Sequence, residues 1–279
     1  MERLEGDLGL TLKTDPLGVF VSKLREYSEM FNSGRMGRMA VWLSATADRV
    51  SRKDFKDIWA DYTQAYGAVR GEFSNGNSEL EALFDEVKGR MPVIPSGALL
   101  SVSKMEDGLR QTMNPQQVFM QILNVFNSGS LTVEQRFYGM CFQYVILVEG
   151  IYDETLRYLL MWWDNTQGKT PSVQDMTIRK VKTELESRGA QSVLFKGWEP
   201  RIRNSIAHAR FSYDEKRDKA IFDDVNRDDP TNTFHKEMTY NEFGEMGMSL
   251  YNVVFLTETV LVMGHLVPMM LSAAERLPK

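Results

Sequence analysis

PRIRNSIAHARFSYDEKRDKAIF, running from Pro200 to Phe222, is the stretch on which the fold is read. Proline is tolerated in the first turn of a helix, where its missing N–H would have no partner anyway. A short helix is therefore expected from Arg201 to about Ala209. Two short strand-like runs follow, Arg210–Tyr213 and Ala220–Phe222, joined by the charged turn Asp214–Lys219. The same stretch is basic. Arg179 to Lys219 holds eleven Lys/Arg against six Asp/Glu, in a chain whose net charge is −5.

Long apolar helices are expected on both sides. Upstream, Thr132-Val133-Glu134-Gln135 fits a capping box, in which hydroxyl and amide side chains satisfy free backbone amides of the first turn. The helix it opens runs through Phe137, Val145, Leu147, Leu156 and Leu160 to Trp162-Trp163, and Asp164–Gly168 stops it. Ser172 with Asp175 gives a second capping signal, for a helix ending near Arg188-Gly189, where glycine suits a left-handed C-terminus. Downstream, Thr239–Glu242 is a third capping box. Its helix reaches about Arg276, bent at Gly264 and Pro268. Asn252–Leu271 is apolar enough to raise the question of a membrane span. Glu258 and His265 inside it would cost a few kcal/mol in lipid, so a core helix and no membrane are expected.

The first 126 residues also read as helices. Apolar residues recur at helical spacing through Leu17–Met30 and Met36–Leu43, then over Lys53–Phe73 and Ser78–Val87. The prolines and glycine of Met91–Gly97 dictate a loop, and Pro115 suits the first turn of another helix. Asn127–Ser130 is the natural boundary, giving a helical region over 1–126 and a second domain over 131–279. Nothing in the first region carries a chemical motif. The fold class is all-α with a small hairpin insert.

Composition excludes several functions. At 279 residues, 43% hydrophobic and 25% charged, the chain is neither disordered nor fibrous. One cysteine, Cys141, rules out a disulfide framework and any multi-cysteine zinc set, and lies on an apolar stripe as a small core residue. Neither HExxH nor HxH occurs, nor a glycine-rich phosphate loop of Walker or Rossmann type. The acidic balance argues against non-specific coating of nucleic acid. No export signal opens the N-terminus, so a cytoplasmic location is expected. Trp162-Trp163 and Met269-Met270 read as core or dimer contacts.

Three histidines can be weighed singly. His265 lies on the last apolar helix as a structural residue, and His235 stands among polar residues at the surface. His208 closes Arg203-Asn204-Ser205-Ile206-Ala207-His208 inside the basic segment. An Arg-Asn-x-x-x-His string is expected by chance only about 0.01 times in such a chain. On a helix Asn204 and His208 share a face, so the amide can orient the imidazole. Arginine in a first turn suits a phosphate oxyanion, and an imidazole of ordinary pKa moves a proton near neutral pH. That pairing is the minimum for RNA cleavage by the substrate's own 2′-hydroxyl. Arg201 satisfies a looser spacing and stays open as the clamp, and Arg201 and Arg210 are both candidate RNA contacts. Glu149 in Val148-Glu149-Gly150 could face the cleft and hold Arg203, or make a purely structural pair.

With this motif, the hairpin and the flanking helices, residues 132–276 resemble the HEPN superfamily of ribonucleases. The resemblance implies a helical bundle that dimerises so that two motifs face each other in one composite site. It implies metal-independent endoribonuclease activity with no cofactor, on single-stranded or tRNA substrates, leaving a 2′,3′-cyclic phosphate and a 5′-hydroxyl. It also implies a role as a toxin or an abortive-infection effector against phage, with an antitoxin or regulatory partner. Arg203 and His208 carry over as catalytic residues and Asn204 as their support. Some toxin branches carry a tyrosine two after the histidine, where a partner nucleotidyltransferase acts; Arg210 stands there instead. The alternative is a catalytically silent HEPN-like module that binds RNA, nucleotide or protein.

Overall fold

The structure is a computed structural model. It describes residues 15–32, 37–90, 131–166, 175–225 and 231–277, with positions 115, 118, 119, 121, 122, 124–126, 129 and 173. The described chain is mostly helical with one small antiparallel sheet, as expected. Its helices are α1 (Pro16–Asn32), α2 (Gly37–Ser51), α3 (Ile58–Ser74), α4 (Ser78–Arg90), α5 (Val133–Val145), α6 (Asp153–Thr166), α7 (Ile178–Ser187), α8 (Pro200–Ala207), α9 (Tyr240–Leu261) and α10 (Val267–Glu275). A π-helical turn, Ile146–Tyr152, joins α5 to α6, and another, Val262–Leu266, joins α9 to α10.

The chain divides into two compact units that interleave in sequence. One draws on Met1–Asp107, Met161–Pro171 and Leu256–Lys279, the other on Gly108–Leu160 and Ser172–Phe255. The division expected at 127–130 was contiguous; this one returns the C-terminal helix to the unit that holds the N-terminal helices. A helix as apolar as α10, with Val267, Met270, Leu271 and Ala274 all buried, must lie in a core, and it lies in that unit's.

In the first unit α1 and α2 bury Leu24, Leu43, Ala47 and Val50 completely. α3 begins at Ile58, five residues later than expected, because Lys53 and Asp57 take left-handed backbone angles and turn the chain first. The bend expected at Gly264 and Pro268 is the second π-helical turn. There the Val267 N–H reaches back five residues to Val262 O. The next donor in that register would be Pro268, which has no N–H, so Met263 O needs another partner. Tyr62 of α3 supplies it, its hydroxyl donating to Met263 O at 2.8 Å. The Tyr62 ring stacks on Tyr66 at 6.0 Å.

The second unit is built on an aromatic cluster. Phe137 of α5, fully buried, stacks on Tyr213 at 5.0 Å, and Phe222 lies 5.0 Å from Phe243 of α9. These rings pin the sheet between α5 and α9, each pair adding about 0.5–1.5 kcal/mol beyond its burial. Strands β1 (Phe211–Asp214), β2 (Lys219–Val225) and β3 (Thr233–Met238) run in the order β1-β2-β3, with Phe211 opposite Phe222 and Asp224 opposite Phe234. The third strand, which carries His235, departs from the expected two. It is an edge strand with Met238 as its buried residue, so it lacks the apolar alternation that marks a strand in sequence.

The capping box at Thr132 and Gln135 is present, and so is the reciprocal pair Thr239 and Glu242. α7, however, is capped by Thr177, whose hydroxyl accepts from the Lys180 N–H, rather than by Ser172, which lies outside the described residues. The loop expected at 91–97 also lies outside them. Gly189 closes α7 at φ 79°, as its position predicted. Tyr240–Gly264 is long and apolar enough to cross a membrane by length and composition, but 67% of its most apolar window is buried inside the fold.

Removing the Tyr62 hydroxyl in Tyr62→Phe strands a buried carbonyl. We expect a loss of about 1–2 kcal/mol, read from urea unfolding, whereas Tyr66→Phe should cost less.

Candidate functional site

The site is assembled on α8, an eight-residue helix in the second unit. Its entry is fixed before the motif begins. Gly197 sits at φ 84° against α9, where an added Cβ would lie 2.2 Å from Met246 O, so only glycine fits. Tyr144 of α5 donates its hydroxyl to Gly197 O and accepts the Glu199 N–H, each at 3.0 Å. Burial keeps that phenol protonated well above its ordinary range, with the Glu199 backbone and the Arg203 charge pulling the other way. The Glu199 carboxylate then caps α8 by accepting the Arg201 N–H at 3.1 Å. Ile202 and Ile206 bury the inner face.

The two candidate arginines have different surroundings. All three guanidinium nitrogens of Arg201 are engaged. Nε meets Asp224 Oδ2 at 2.7 Å, Nη1 donates to Asn232 Oδ1 and Nη2 to Asn232 O, both at 3.0 Å. The group also lies over the Phe234 ring, 5.5 Å from its centre. Arg203 instead pairs through Nε with Glu149 Oε1 at 3.1 Å, the side chains being 34% and 50% exposed. An ion pair that open to water contributes between about 0 and 1 kcal/mol, so it aims the arginine more than it stabilises the fold. Glu149 stands in the middle of the π-helical turn that interrupts the long helix, and such turns recur at functional sites.

His208 is not on the helix. α8 stops at Ala207 and His208 is its C-terminal cap, exposed, with no side chain bonded to its imidazole among the described residues. The stop has a clear cause. The Ala209 N–H returns to Ile206 O at 3.0 Å and the Arg210 N–H to Ser205 O at 2.7 Å, which closes a Schellman turn. The turn requires a left-handed residue, and Ala209 supplies it at φ 53°. Arg210 is exposed, with no ion pair among the described residues.

Asn204 corrects the expected geometry. Its side-chain amide does not meet the imidazole; Nδ2 donates to Asp224 Oδ2 at 3.4 Å, while its backbone carbonyl accepts the His208 N–H at 2.9 Å. The structure thus brings Arg203 to Glu149, and Arg201 and Asn204 to one buried carboxylate. Asp224 was missed in the sequence because the second strand was ended at Phe222. Continued by period two from Ala220 and Phe222, it would have turned Asp224 inward. Tyr144 gave no signal beyond an apolar stripe. His235 is an exposed residue as expected, its Nδ1 2.8 Å from Asp223 Oδ1, and that hydrogen bond raises its pKa above the usual imidazole value.

Two outcomes follow from this geometry. Ala209→Gly removes the left-handed penalty on a side chain and should raise stability by about 1 kcal/mol, measured by denaturant unfolding. The His235 contribution is complete below the unfolded imidazole pKa of about 6.5 and is lost as pH rises through the higher folded value. Asp223→Asn should therefore lower the His235 pKa seen by NMR titration and weaken that pH dependence.

The family model described as HEPN pEK499 p136 matches residues 111–259, more than half of the chain. The chain matches no curated protein and no solved structure. The matched span contains α8, the sheet and most of α9, the elements that build the site. By that match the chain belongs to the HEPN pEK499 p136 family.

Proposed function

We propose that this HEPN-type protein is a metal-independent endoribonuclease. The observation that carries the reading is the exposed imidazole of His208, with no side chain bonded to it among the described residues, five residues after an arginine paired with Glu149. Arg203 is the phosphate clamp in this reading, since Arg201 is spent on the sheet. Asn204 supports the motif and Arg210 offers a further contact to the RNA backbone.

In the reaction the substrate's 2′-oxygen attacks the adjacent phosphorus and the bond to the 5′-oxygen breaks. One His208 takes the proton from the 2′-hydroxyl, and His208 of a second copy gives a proton to the leaving 5′-oxygen. The products are a 2′,3′-cyclic phosphate and a 5′-hydroxyl. Arg203 from each copy stabilises the added charge on the phosphorane, where fixed donors have their largest effect. A homodimer is supported by an apolar stripe on the outer face of α5. Phe142 is 66% exposed and Tyr138 36%, four residues apart on one face of that helix. The reading extends to toxicity or abortive infection against phage, restrained by an antitoxin or regulatory partner.

The test uses a short single-stranded RNA of mixed sequence and bulk tRNA, in excess EDTA. Cleavage that leaves cyclic-phosphate ends and falls at least about 100-fold in His208→Ala and in Arg203→Ala supports the proposal. Activity that vanishes with chelator, or survives His208→Ala intact, refutes it. Protein that binds the RNA and leaves it whole is the silent binding module instead.

A further inference from the structure

Asp224 takes no part in the reaction proposed above, yet the site is built around it. Its side chain is 5% exposed, at the inner face of β2. Two donors from α8 converge on the same Oδ2, Arg201 Nε at 2.7 Å and Asn204 Nδ2 at 3.4 Å. The residue before it acts on the other side of the histidine: the Asp223 N–H donates to Arg210 O at 2.9 Å. Consecutive residues of β2 therefore grip the chain at Asn204 and at Arg210, with His208 between them.

That grip bears on the part of the motif whose support, among the described residues, comes through its backbone. His208 lies beyond the helix, before a left-handed alanine, with no side chain bonded to its ring among the described residues. Its backbone is tied to Asn204 through the 2.9 Å bond from its N–H to Asn204 O. A buried carboxylate that fixes Asn204 thus fixes the base from which His208 extends. Glu149 does the corresponding work for Arg203 from the opposite element. We propose that Asp224 is a positioning residue, which holds the His208 turn against β2 through Asn204 and sets where the imidazole meets a substrate. The inference rests on the ribonuclease reading for its catalytic consequence, but not for the contact itself.

The test combines kinetics with a spectroscopic readout on the full chain. The chain has three histidines, so selective ¹⁵N-histidine labelling gives a small set of imidazole and amide signals. In Asp224→Asn the His208 amide and imidazole signals should move. With the mixed-sequence RNA, kcat should fall about tenfold or more and KM stay within twofold. Asn204→Ala cuts the same link while leaving the Arg201 pair intact, so it serves where Asp224→Asn does not fold, with the same expected pattern. The double variant should be no slower than the slower single one, because both remove one contact. His208 signals that stay unmoved, or kinetic losses that multiply in the double variant, overturn the inference. If the His208 signals move but the wild-type protein leaves RNA whole, the ribonuclease reading falls and the positioning contact stands.

Discussion

A carboxylate almost out of reach of water, with an arginine and an asparagine from one short helix converging on it, is the interaction that seats the motif helix on the sheet. Burying a charge is costly unless it is paired and hydrogen-bonded, and breaking such a pair costs on the order of 3–5 kcal/mol. Asp224 is satisfied only when α8 lies across the sheet in one position. The helix is too short to be stable alone, so its orientation comes from this pair, from the Tyr144 bonds at its entry and from the burial of Ile202 and Ile206.

The arrangement separates two roles that the sequence leaves together. Arg201 and Arg203 are two apart, so on a helix their side chains point in well-separated directions. One direction leads to β2 and β3 and is filled by Asp224, Asn232 and Phe234. The other leads to the π-helical turn and Glu149. The first arginine is structural by its contacts. The second keeps a third of its side chain in solvent, in an ion pair with Glu149 that water weakens.

One left-handed, non-glycine residue adjoins the motif. Ala209 takes a backbone region where glycine would be favoured, at the residue after His208. Natural chains retain such positions only where the surroundings over-determine them. Here the Schellman turn on one side and the Asp223 bond to Arg210 on the other do so. The imidazole, with no side chain bonded to it among the described residues, is thus carried on a hydrogen-bonded turn rather than on a loose loop, which suits the proposed exchange of protons with a bound strand.

By itself the sequence determined the local elements. The capping pairs at Thr132 and Thr239, the proline start of α8, the left-handed Gly189 and the bend at Pro268 all act over a few residues, so their chemistry is legible in the string. The motif from Arg203 to His208 was legible for the same reason: residue type and spacing carry the signal, whereas its pairing with Glu149, 54 residues away, was one of two open readings. The tertiary structure decided what depends on distant partners. It ended α8 one residue before the histidine, turned Asn204 away from it towards Asp224, and paired β3 with β2 although its sequence has little apolar alternation. It also returned the C-terminal helix to the unit of the N-terminal helices. A side chain with several partners within reach bonds to whichever lowers the cost of burial most, and that comparison exists only once the chain has folded.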